Sequence, residues 1–349
     1  MYFVLYDRFL NSIGETYILE SWSRTQRAID LDSLKIEGEQ IPFSADPFLV
    51  AVNDRQGKIM FSGLASTPVI DDKKKKTSIT LKDYCTLWNS DVIIRQTNFT
   101  GTTLSGYIDF ILSEWKLQEA PGLSNISWSV EALADETIPD IISREGTSSI
   151  NVYNHLSGII NYCDLYVDAT LDLQNKKLTY TFKKALVNSV SVRLKDFGVN
   201  VIEKSFGEYN RVTVYDAAFS KSVKWALTVD NTVVKMINAT AEFVYPAKNR
   251  NFIADKPSEE LTEQSAMNNA EYDAVINLAK NRYQENIDLD AQQYKSVLDL
   301  TDVDFSYKIA VYTDEGYYKD LPVGEIVTDS KGRHIVRLGH RIQELTQEI

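Results

Sequence analysis

The chain has 349 residues, which is enough for two or three domains that each bury a core. Its net charge of −12 disfavours a nucleic-acid-binding role for the whole chain, because such proteins normally present a basic face. No apolar run reaches the ~18 residues of a membrane span, and the apolar start lacks the basic segment of a signal peptide. A content of 8 Pro and 15 Gly also argues against long disordered linkers.

Short strand-like runs dominate residues 1–95, and their Tyr and Phe content favours pleated sheets. The runs are Tyr2–Tyr6, Tyr17–Trp22, Phe48–Val52, Lys58–Leu64 and Ser78–Leu81. Asp54–Gly57 has hairpin length, with glycine where a positive φ is needed. The basic run Lys73–Lys76 follows two aspartates and predicts a solvated hairpin tip. Strands with this spacing predict a small barrel or sandwich.

Residues 96 to about 186 predict a small α/β unit. A first helix begins near Thr102, because apolar residues recur on one helical face. These residues are Leu104, Ile108, Ile111, Leu112 and Trp115. A strand-like Ile126–Val130 follows, then a second helix with apolar residues at Ile150, Tyr153, Leu156, Ile160 and Cys163. The segment 164–184 alternates on both sides of a turn at Asn175 and predicts a hairpin.

The remainder of the chain is again rich in strand patterns. Five runs lie between Ser189 and Tyr245, and four more are Lys295–Leu300, Tyr307–Thr313, Gly324–Asp329 and His334–Gly339. Pro257 followed by Ser and two Glu predicts the start of a helix that runs toward Ile287. A strand-rich segment, a helix-containing insert and a second strand-rich segment therefore follow one another twice along the chain.

The predicted fold class is α+β and β-rich, with several domains, two of which are related β-barrel-like domains with helical or α/β inserts. The predicted boundaries are 1–95 plus about 187–205 for the first barrel, 96–186 for the α/β insert, 206–256 plus 293–349 for the second barrel, and 257–292 for a helical insert.

The candidate nucleotide and nucleophile motifs are incomplete. Gly101–Gly106 has the glycine spacing of a phosphate-binding loop, but Tyr107 stands where lysine is required, so we expect a loop that caps a helix. His155 and Cys163 lie eight residues apart on one predicted helix, about 12 Å along its axis, which is too far for a base and its thiol. Cys85 and Cys163 are predicted to be buried free thiols.

The candidate metal sites are also incomplete. His334 and His340 flank a strand without a third ligand nearby, so we expect exposed strand-end histidines. Asp302 and Asp304 begin a segment like a calcium loop, but it lacks the required glycine and ends on Thr313 instead of Glu. The aromatic segment Tyr312–Tyr318 is expected to pack on an edge strand. The sequence therefore predicts no catalytic, cofactor-binding or metal-binding residue, no cofactor and no enzyme, which favours an assembly role.

Several stretches resemble one family. Phe61–Gly63, Ile79–Leu81, Asp83 with Tyr84, and Ile93–Arg95 follow the pattern of the first domain of siphophage tail-tip baseplate hub proteins. These are the N-terminal structural modules of tail-associated lysins, also described as Gp37-like proteins. The ending GEIVTDSKGRHIVRLGHRIQEL is similar to the family's last β-domain. The coarse domain order matches along nearly the whole chain.

This resemblance implies a homotrimer in the virion tail tip of a phage or prophage, made in the bacterial cytoplasm. In such hubs, two related barrels per chain form a pseudo-sixfold ring that docks on the hexameric distal tail protein. The ring encloses a channel for the tape-measure protein and for DNA, which would meet the protein only in passage. Receptor-binding proteins are further candidate partners. The polar, helix-like end 341–349 leaves no room for a lysin domain, so we expect a short hub or a truncated chain.

Two alternatives remain open at this stage. The first is a carbohydrate-binding or receptor-binding β-protein of a phage tail that uses exposed aromatic residues. The second is a cell-wall hydrolase with a carboxylate dyad, which the 49 Asp and Glu residues permit without marking a particular pair.

Overall fold

The computed structural model describes residues 1–27, 33–95, 99, 101–119, 125–130, 147–163, 165–184, 186–199, 202–205, 207–229, 232–236, 242–258, 261–282 and 284–339. Within these ranges the protein is a β-rich α+β fold with several cores, as predicted. No helix in the described ranges is long and apolar enough to span a membrane.

The described ranges contain 22 strands and three α-helices. The strands of the first half are β1 (Tyr2–Tyr6), β2 (Ser12–Arg27), β3 (Ser33–Glu39), β4 (Leu49–Asn53), β5 (Ile59–Ala65), β6 (Val69–Asp71), β7 (Lys76–Lys82), β8 (Asp91–Arg95), β9 (Asn125–Val130), β10 (Thr147–Asn151), β11 (Leu165–Asp172) and β12 (Lys177–Lys184). The strands of the second half are β13 (Leu186–Arg193), β14 (Glu203–Ser205), β15 (Arg211–Tyr215), β16 (Ser222–Leu227), β17 (Val233–Lys235), β18 (Asn249–Ile253), β19 (Gln284–Asp290), β20 (Tyr307–Thr313), β21 (Gly316–Asp329) and β22 (His334–Leu338). The helices are α1 (Leu104–Glu119), α2 (Val152–Tyr162) and α3 (Glu263–Lys280).

The first six-stranded unit is a closed barrel. Its strands pair in the order β1–β4–β5–β7–β3–β2, and β2 pairs with β1 to close it. Alternate side chains point inward, and Phe3, Ile36 and Ile79 are among the residues that fill the interior. The barrel predicted from the spacing of these strands is therefore confirmed.

Strand β4 is buried on both of its faces. Val50 and Val52 belong to the barrel interior, whereas Leu49 on the opposite face packs into the core of the following domain. Residues 49–52 form a continuous apolar run because a strand with two buried faces has no polar side. This strand therefore contributes to both the barrel core and the insert core.

The α/β insert lies on the outer face of the barrel. A 3-10 turn (Tyr84–Trp88) leads into it, and α1 and α2 pack with the β9–β12–β11 sheet around Trp115 and Tyr180. The five apolar residues that predicted α1 are all fully buried. The predicted second helix and the β11–β12 hairpin are also present.

A second six-stranded unit follows the order β13–β20–β21–β22–β19–β14. Ile287, Val311 and Val336 are among the residues of its own core. Strand β13 is parallel to β20, so this part of segment 187–205 contributes to the second unit. The domain boundaries given above stay a prediction.

The two six-stranded units share one continuous sheet. Strand β2 pairs with β21 from Ser23–Asp329 to Arg27–Glu325. Glu325 is only 1% exposed, and it accepts a hydrogen bond from Arg27 Nε at 2.9 Å and another from Arg337 Nη1. Arg337 Nε also lies 2.9 Å from Asp288 on β19. Backbone pairing and a buried charge network therefore coincide at this seam.

A separate four-stranded sheet follows the order β17–β16–β15–β18, and α3 packs on one of its faces. Helix α3 also contacts α2 of the insert. At that crossing Gly158 lies against Ile276, where a methyl group on residue 158 would come within 2.4 Å of Ile276 Cγ2. The glycine thus permits the close approach of the two helices.

The helix predicted from Pro257 toward Ile287 is wrong at both ends. Helix α3 begins after Thr262, whose side chain accepts the Ser265 N–H at 3.1 Å and caps the helix. It ends at Lys280, and Gln284–Asp290 forms β19 because Ile287 and Leu289 alternate into the core of the second unit.

Two strand predictions also differ from the structure. Lys295–Leu300 contains turns instead of a strand, since Asp299 accepts the Thr301 N–H and forms a local turn. Conversely, Ser33–Glu39 is a strand that the sequence reading missed. Leu34 and Ile36 alternate there with charged residues, which is the period of a half-buried strand.

We expect Glu325→Ala to destabilise the protein by about 1–3 kcal/mol, because it removes the buried carboxylate that accepts from the partly exposed Arg27 and Arg337. The urea midpoint of unfolding measures this effect. Glu37→Ala is the control, since it removes an exposed pair with Lys35 at 3.5 Å and should change stability by less than about 1 kcal/mol. Equal losses in the two variants would contradict the importance of the seam.

We expect Gly158→Ala to lower the unfolding free energy by about 1–3 kcal/mol through overpacking at the α2–α3 crossing. Ile276→Ala creates a cavity at the same point, so each change should relieve the other. The double variant should therefore lose less unfolding free energy than the sum of the losses of the two single variants. If the losses of unfolding free energy, measured with urea, simply add, the contact between residues 158 and 276 does not limit how closely α2 and α3 approach.

Candidate functional site

The glycine pair at the start of α1 has a structural role. Thr103 Oγ1 accepts the N–H of Gly106 at 3.2 Å, which caps the first turn of the helix. Tyr107 is fully buried and shares a hydrogen bond with His155 Nε2 at 3.1 Å. The prediction of a helix-capping loop is confirmed.

His155 joins three helices in the interior. In addition to Tyr107 of α1, Tyr272 of α3 lies 2.8 Å from its Nδ1. Cys163 caps the far end of α2, so the two residues do not form a base and nucleophile pair. Cys85 and Cys163 form no disulfide, as predicted, but both are only half-buried.

His334 is not the exposed strand-end residue that the sequence predicts. Its Nε2 atom is buried and has no hydrogen-bond partner among the described residues. Burial lowers the pKa of its imidazole, against an opposing effect of the Asp299 carboxylate. His340 lies outside the described residues, as does the predicted helix-like end of the chain.

The segment that resembles a calcium loop forms a turn and a strand. Asp304 accepts hydrogen bonds from the N–H of Ser306, at 2.8 Å, and from its hydroxyl, and β20 begins at the next residue. In the described ranges, no three His, Cys, Asp or Glu side chains cluster closely enough to hold a metal ion.

A cleft of about 290 Å³ lies where the barrel, the insert and the second six-stranded unit meet. Its charged lining residues have both signs and come from all three units: Arg24, Arg27, Asp83, Asp168, Lys183 and Asp304. The Asp83 carboxylate accepts the Cys85 N–H at 2.7 Å and caps the 3-10 turn. Burial raises the pKa of Asp83, opposed by hydrogen bonds from Cys85 and by Arg24. This carboxylate is held in a local structural role.

The basic run is the tip of the β6–β7 hairpin, as predicted. Lys74 Nζ lies 3.4 Å from Asp71, Lys75 Nζ lies 2.6 Å from Asp72, and Lys76 pairs with Glu20. These pairs are exposed, so each contributes little to stability. The aromatic segment around Tyr312 similarly forms the β20–β21 hairpin, where the rings of Tyr312 and Tyr317 meet edge to face at 5.6 Å.

Exposed apolar side chains are concentrated on the first barrel. Among the described residues, seven of the fifteen exposed large hydrophobic side chains belong to it: Met1, Phe9, Ile18, Phe43, Ile59, Met60 and Val69. Strand register places Ile18, Tyr2, Asn53 and Ile59 in one row across β2, β1, β4 and β5. Ile18 and Ile59 are the exposed apolar members of this row, whereas Asn53 between them is polar and 5% exposed.

The protein is similar over nearly its whole length to solved structures of tail proteins. A 43 kDa tail protein of prophage MuSo2 from Shewanella oneidensis has a TM-score of 0.51 and 15% identity, covering 98% of each chain. A tail protein from Neisseria meningitidis MC58 has a TM-score of 0.50 and 12% identity, covering 97% of this chain and 95% of the other. Prophage tail protein gp18 from Listeria monocytogenes EGD-e has a TM-score of 0.52 and 10% identity, covering 99% and 96%. No protein-family model and no curated protein matches the chain.

These similarities establish the fold of the chain. The likeness covers both six-stranded units, the insert and the four-stranded sheet, because at least 97% of the chain is aligned in each case. The expected likeness to phage tail proteins is therefore confirmed at the level of fold. Identities of 10–15% leave the surface residues free to differ.

We expect His334 to make stability depend on pH. Its pKa is lower in the folded chain than its ordinary value of 6.5, so stability is complete above that pH and is lost as the pH falls through the folded pKa. Wild-type protein should therefore lose more stability than His334→Gln between pH 7 and pH 5. Urea midpoints of both proteins at each pH measure this loss. The difference between the two proteins at pH 8 gives the effect of the substitution on packing alone. Parallel pH profiles for the two proteins would contradict the prediction.

Proposed function

We propose that this protein is a structural component of a phage or prophage tail, and specifically the hub at the tail tip. The carrying observation is the match in fold, over nearly the whole chain, to three tail proteins from different bacteria. The proposed hub is a non-enzymatic homotrimer in the virion, of the siphophage type suggested by the sequence pattern.

The two six-stranded units support a trimeric arrangement. One unit is a closed barrel and the other has six strands in a row, and both lie in one continuous sheet. Three copies of such a chain would present six units of similar size around an axis. That number matches the symmetry of a hexameric distal tail protein, which is the proposed docking partner.

The row that carries the exposed Ile18 and Ile59 on the first barrel supports a contact between proteins. Ile18 and Ile59 lie on its outer face, on strands that belong to the rigid closed barrel. Apolar side chains on a rigid element lose little conformational entropy on docking. We assign this row to the contact with a neighbouring copy or with the ring.

The net charge of −12 suits a channel wall. Repulsion between like charges would keep DNA from adhering as it passes during ejection. The tape-measure protein would occupy the same channel before ejection. Receptor-binding proteins are the proposed partners on the outer side of the tip.

Mass measurement of the full chain tests this proposal. We expect light scattering to give three times the 39.6 kDa chain mass in solution, or that mass plus the mass of the hexamer when a hexameric distal tail protein is added. Ile18→Lys with Ile59→Lys should abolish this assembly, because it places charges in the apolar contact.

Phe219→Lys is the matched control, since it changes an equally exposed apolar residue on the four-stranded sheet and should leave assembly intact. A chain that stays monomeric at all concentrations and does not bind the ring would overturn the proposal.

A further inference from the structure

Strand β18 forms one edge of the four-stranded sheet, where it pairs only with β15. This pairing is parallel and has no register shift. At its end the Ala254 N–H donates to the Tyr215 carbonyl at 2.8 Å. Because the groups of a parallel ladder alternate along each strand, this bond fixes the direction of the others. The backbone groups of Arg250 and Phe252 point toward β15, and those of the residues between and beside them point away from the sheet.

Three residues of β18 therefore present their backbone groups to solvent: Asn249, Asn251 and Ile253. All three are exposed, Ile253 to 56%. In the described part of the chain, neither their N–H groups nor their carbonyls have a hydrogen-bond partner from another strand or loop. A row of unpaired backbone groups on an edge strand is a template for the pairing of a further strand.

The edge of β18 is also unobstructed. The strand contains neither a proline nor a bulge, which are common protections of an edge. The guanidinium of Arg250 lies 5.2 Å from the ring centroid of Tyr209 and 5.5 Å from that of Phe252, so this side chain points back over the sheet. Strand β8 differs, because the Gln118 amide accepts the Ile93 N–H and donates to the Ile93 carbonyl, each at 2.8 Å. One exposed strand is thus capped by a side chain and β18 is left open.

Positive charge surrounds the open edge. Lys248, Arg250 and Lys256 lie on or beside β18, accompanied by the single carboxylate of Asp255, and all four residues are exposed. None of the three cations forms an ion pair with a residue that the structure describes. Pairing of β18 with the same strand of a second copy would double this positive charge, whereas an acidic strand would compensate it. The charge therefore favours an acidic partner over a second copy.

We propose that β18 binds an extended acidic segment of a partner protein, which adds a fifth strand to the sheet. The backbone groups of Asn249, Asn251 and Ile253 supply the hydrogen bonds. Successive side chains of the bound segment point to opposite faces of the sheet. Those on the face of Arg250 are acidic, and the one opposite Ile253 is apolar. This surface adds an interaction to the proposed structural role and does not depend on it.

Fluorescence anisotropy of a labelled peptide with the full chain tests the inference. The probe is a seven-residue peptide in which valine and glutamate alternate. We expect saturable binding at concentrations up to about 1 mM that weakens as salt is added. A peptide with lysine in place of each glutamate should bind at least about tenfold more weakly. No binding of the acidic peptide, or equal binding of the two peptides, would overturn the inference.

Methylated peptides test whether the contact is a strand pairing. A bound strand uses the backbone groups of alternate residues, so either the valines or the glutamates donate their N–H groups to β18. Methylation of the backbone nitrogens of one set should therefore weaken binding about tenfold or more, and methylation of the other set should leave it nearly unchanged. Equal affinity of both methylated peptides would contradict pairing with the edge.

Asn251→Pro tests the position on the protein. Its N–H points away from β15, so proline at this position leaves the ladder intact and blocks only the outer edge. Asn251→Thr is the matched control, because it loses the same amide contact with Asn249 and keeps the backbone N–H. Proline should weaken peptide binding about tenfold or more relative to threonine.

Equal peptide affinity of the two variants would overturn the inference. A lower mass of Asn251→Pro than of Asn251→Thr in light scattering without peptide would also overturn it, since the edge would then be a contact between copies. Assembly of the wild-type chain is measured separately, so failure of peptide binding leaves the proposed hub unaffected.

Discussion

Strand β2 fixes the relative placement of the two six-stranded units. It is 16 residues long, and its first part closes the barrel through β1 while its last part pairs with β21. Glu325 lies at the end of this pairing with Arg27 and Arg337, one from each side of the seam. Two partly exposed arginines on one buried carboxylate hold the strands in a single register, since any slip would leave the Glu325 charge unpaired in the interior. The two six-stranded units therefore form a pair with one fixed relative placement and are not independent barrels.

The other units are attached to this pair through close packing. Leu49 on β4 packs the outer face of the barrel into the insert core, and Gly158 lets α3 approach the insert from the other side. His155 bridges Tyr107 and Tyr272 and so connects the insert to the four-stranded sheet. The cleft of about 290 Å³ arises where three units meet and none fills the junction. Its mixed charges are consistent with a solvated boundary between domains.

Local patterns in the sequence predict the helices and strands that are specified by the residues of a single segment. The spacing of Leu104 to Trp115 predicts α1 because a single helical face is buried, and the run at β4 predicts a strand. The continuation of α3 toward Ile287 fails because Ile287 and Leu289 alternate toward a core formed by strands far along the chain. The pairing of β13 with β20 also joins distant segments, and no local pattern specifies it. The cleft of about 290 Å³ is likewise not specified by any local pattern, since its lining residues come from positions 24 to 334.

The division between core and surface explains where specificity can reside. Chains with 10–15% identity share this fold, so the barrel interiors need only apolar side chains of suitable volume in alternating positions. Recognition needs particular chemistry at particular points, and the shared fold does not supply it. Helix α3 covers one face of the four-stranded sheet, and among the described strands this sheet pairs with neither six-stranded unit, so its loops can change without disturbing the seam. The paired six-stranded units can therefore keep their geometry while the loops of the appended sheet change in sequence.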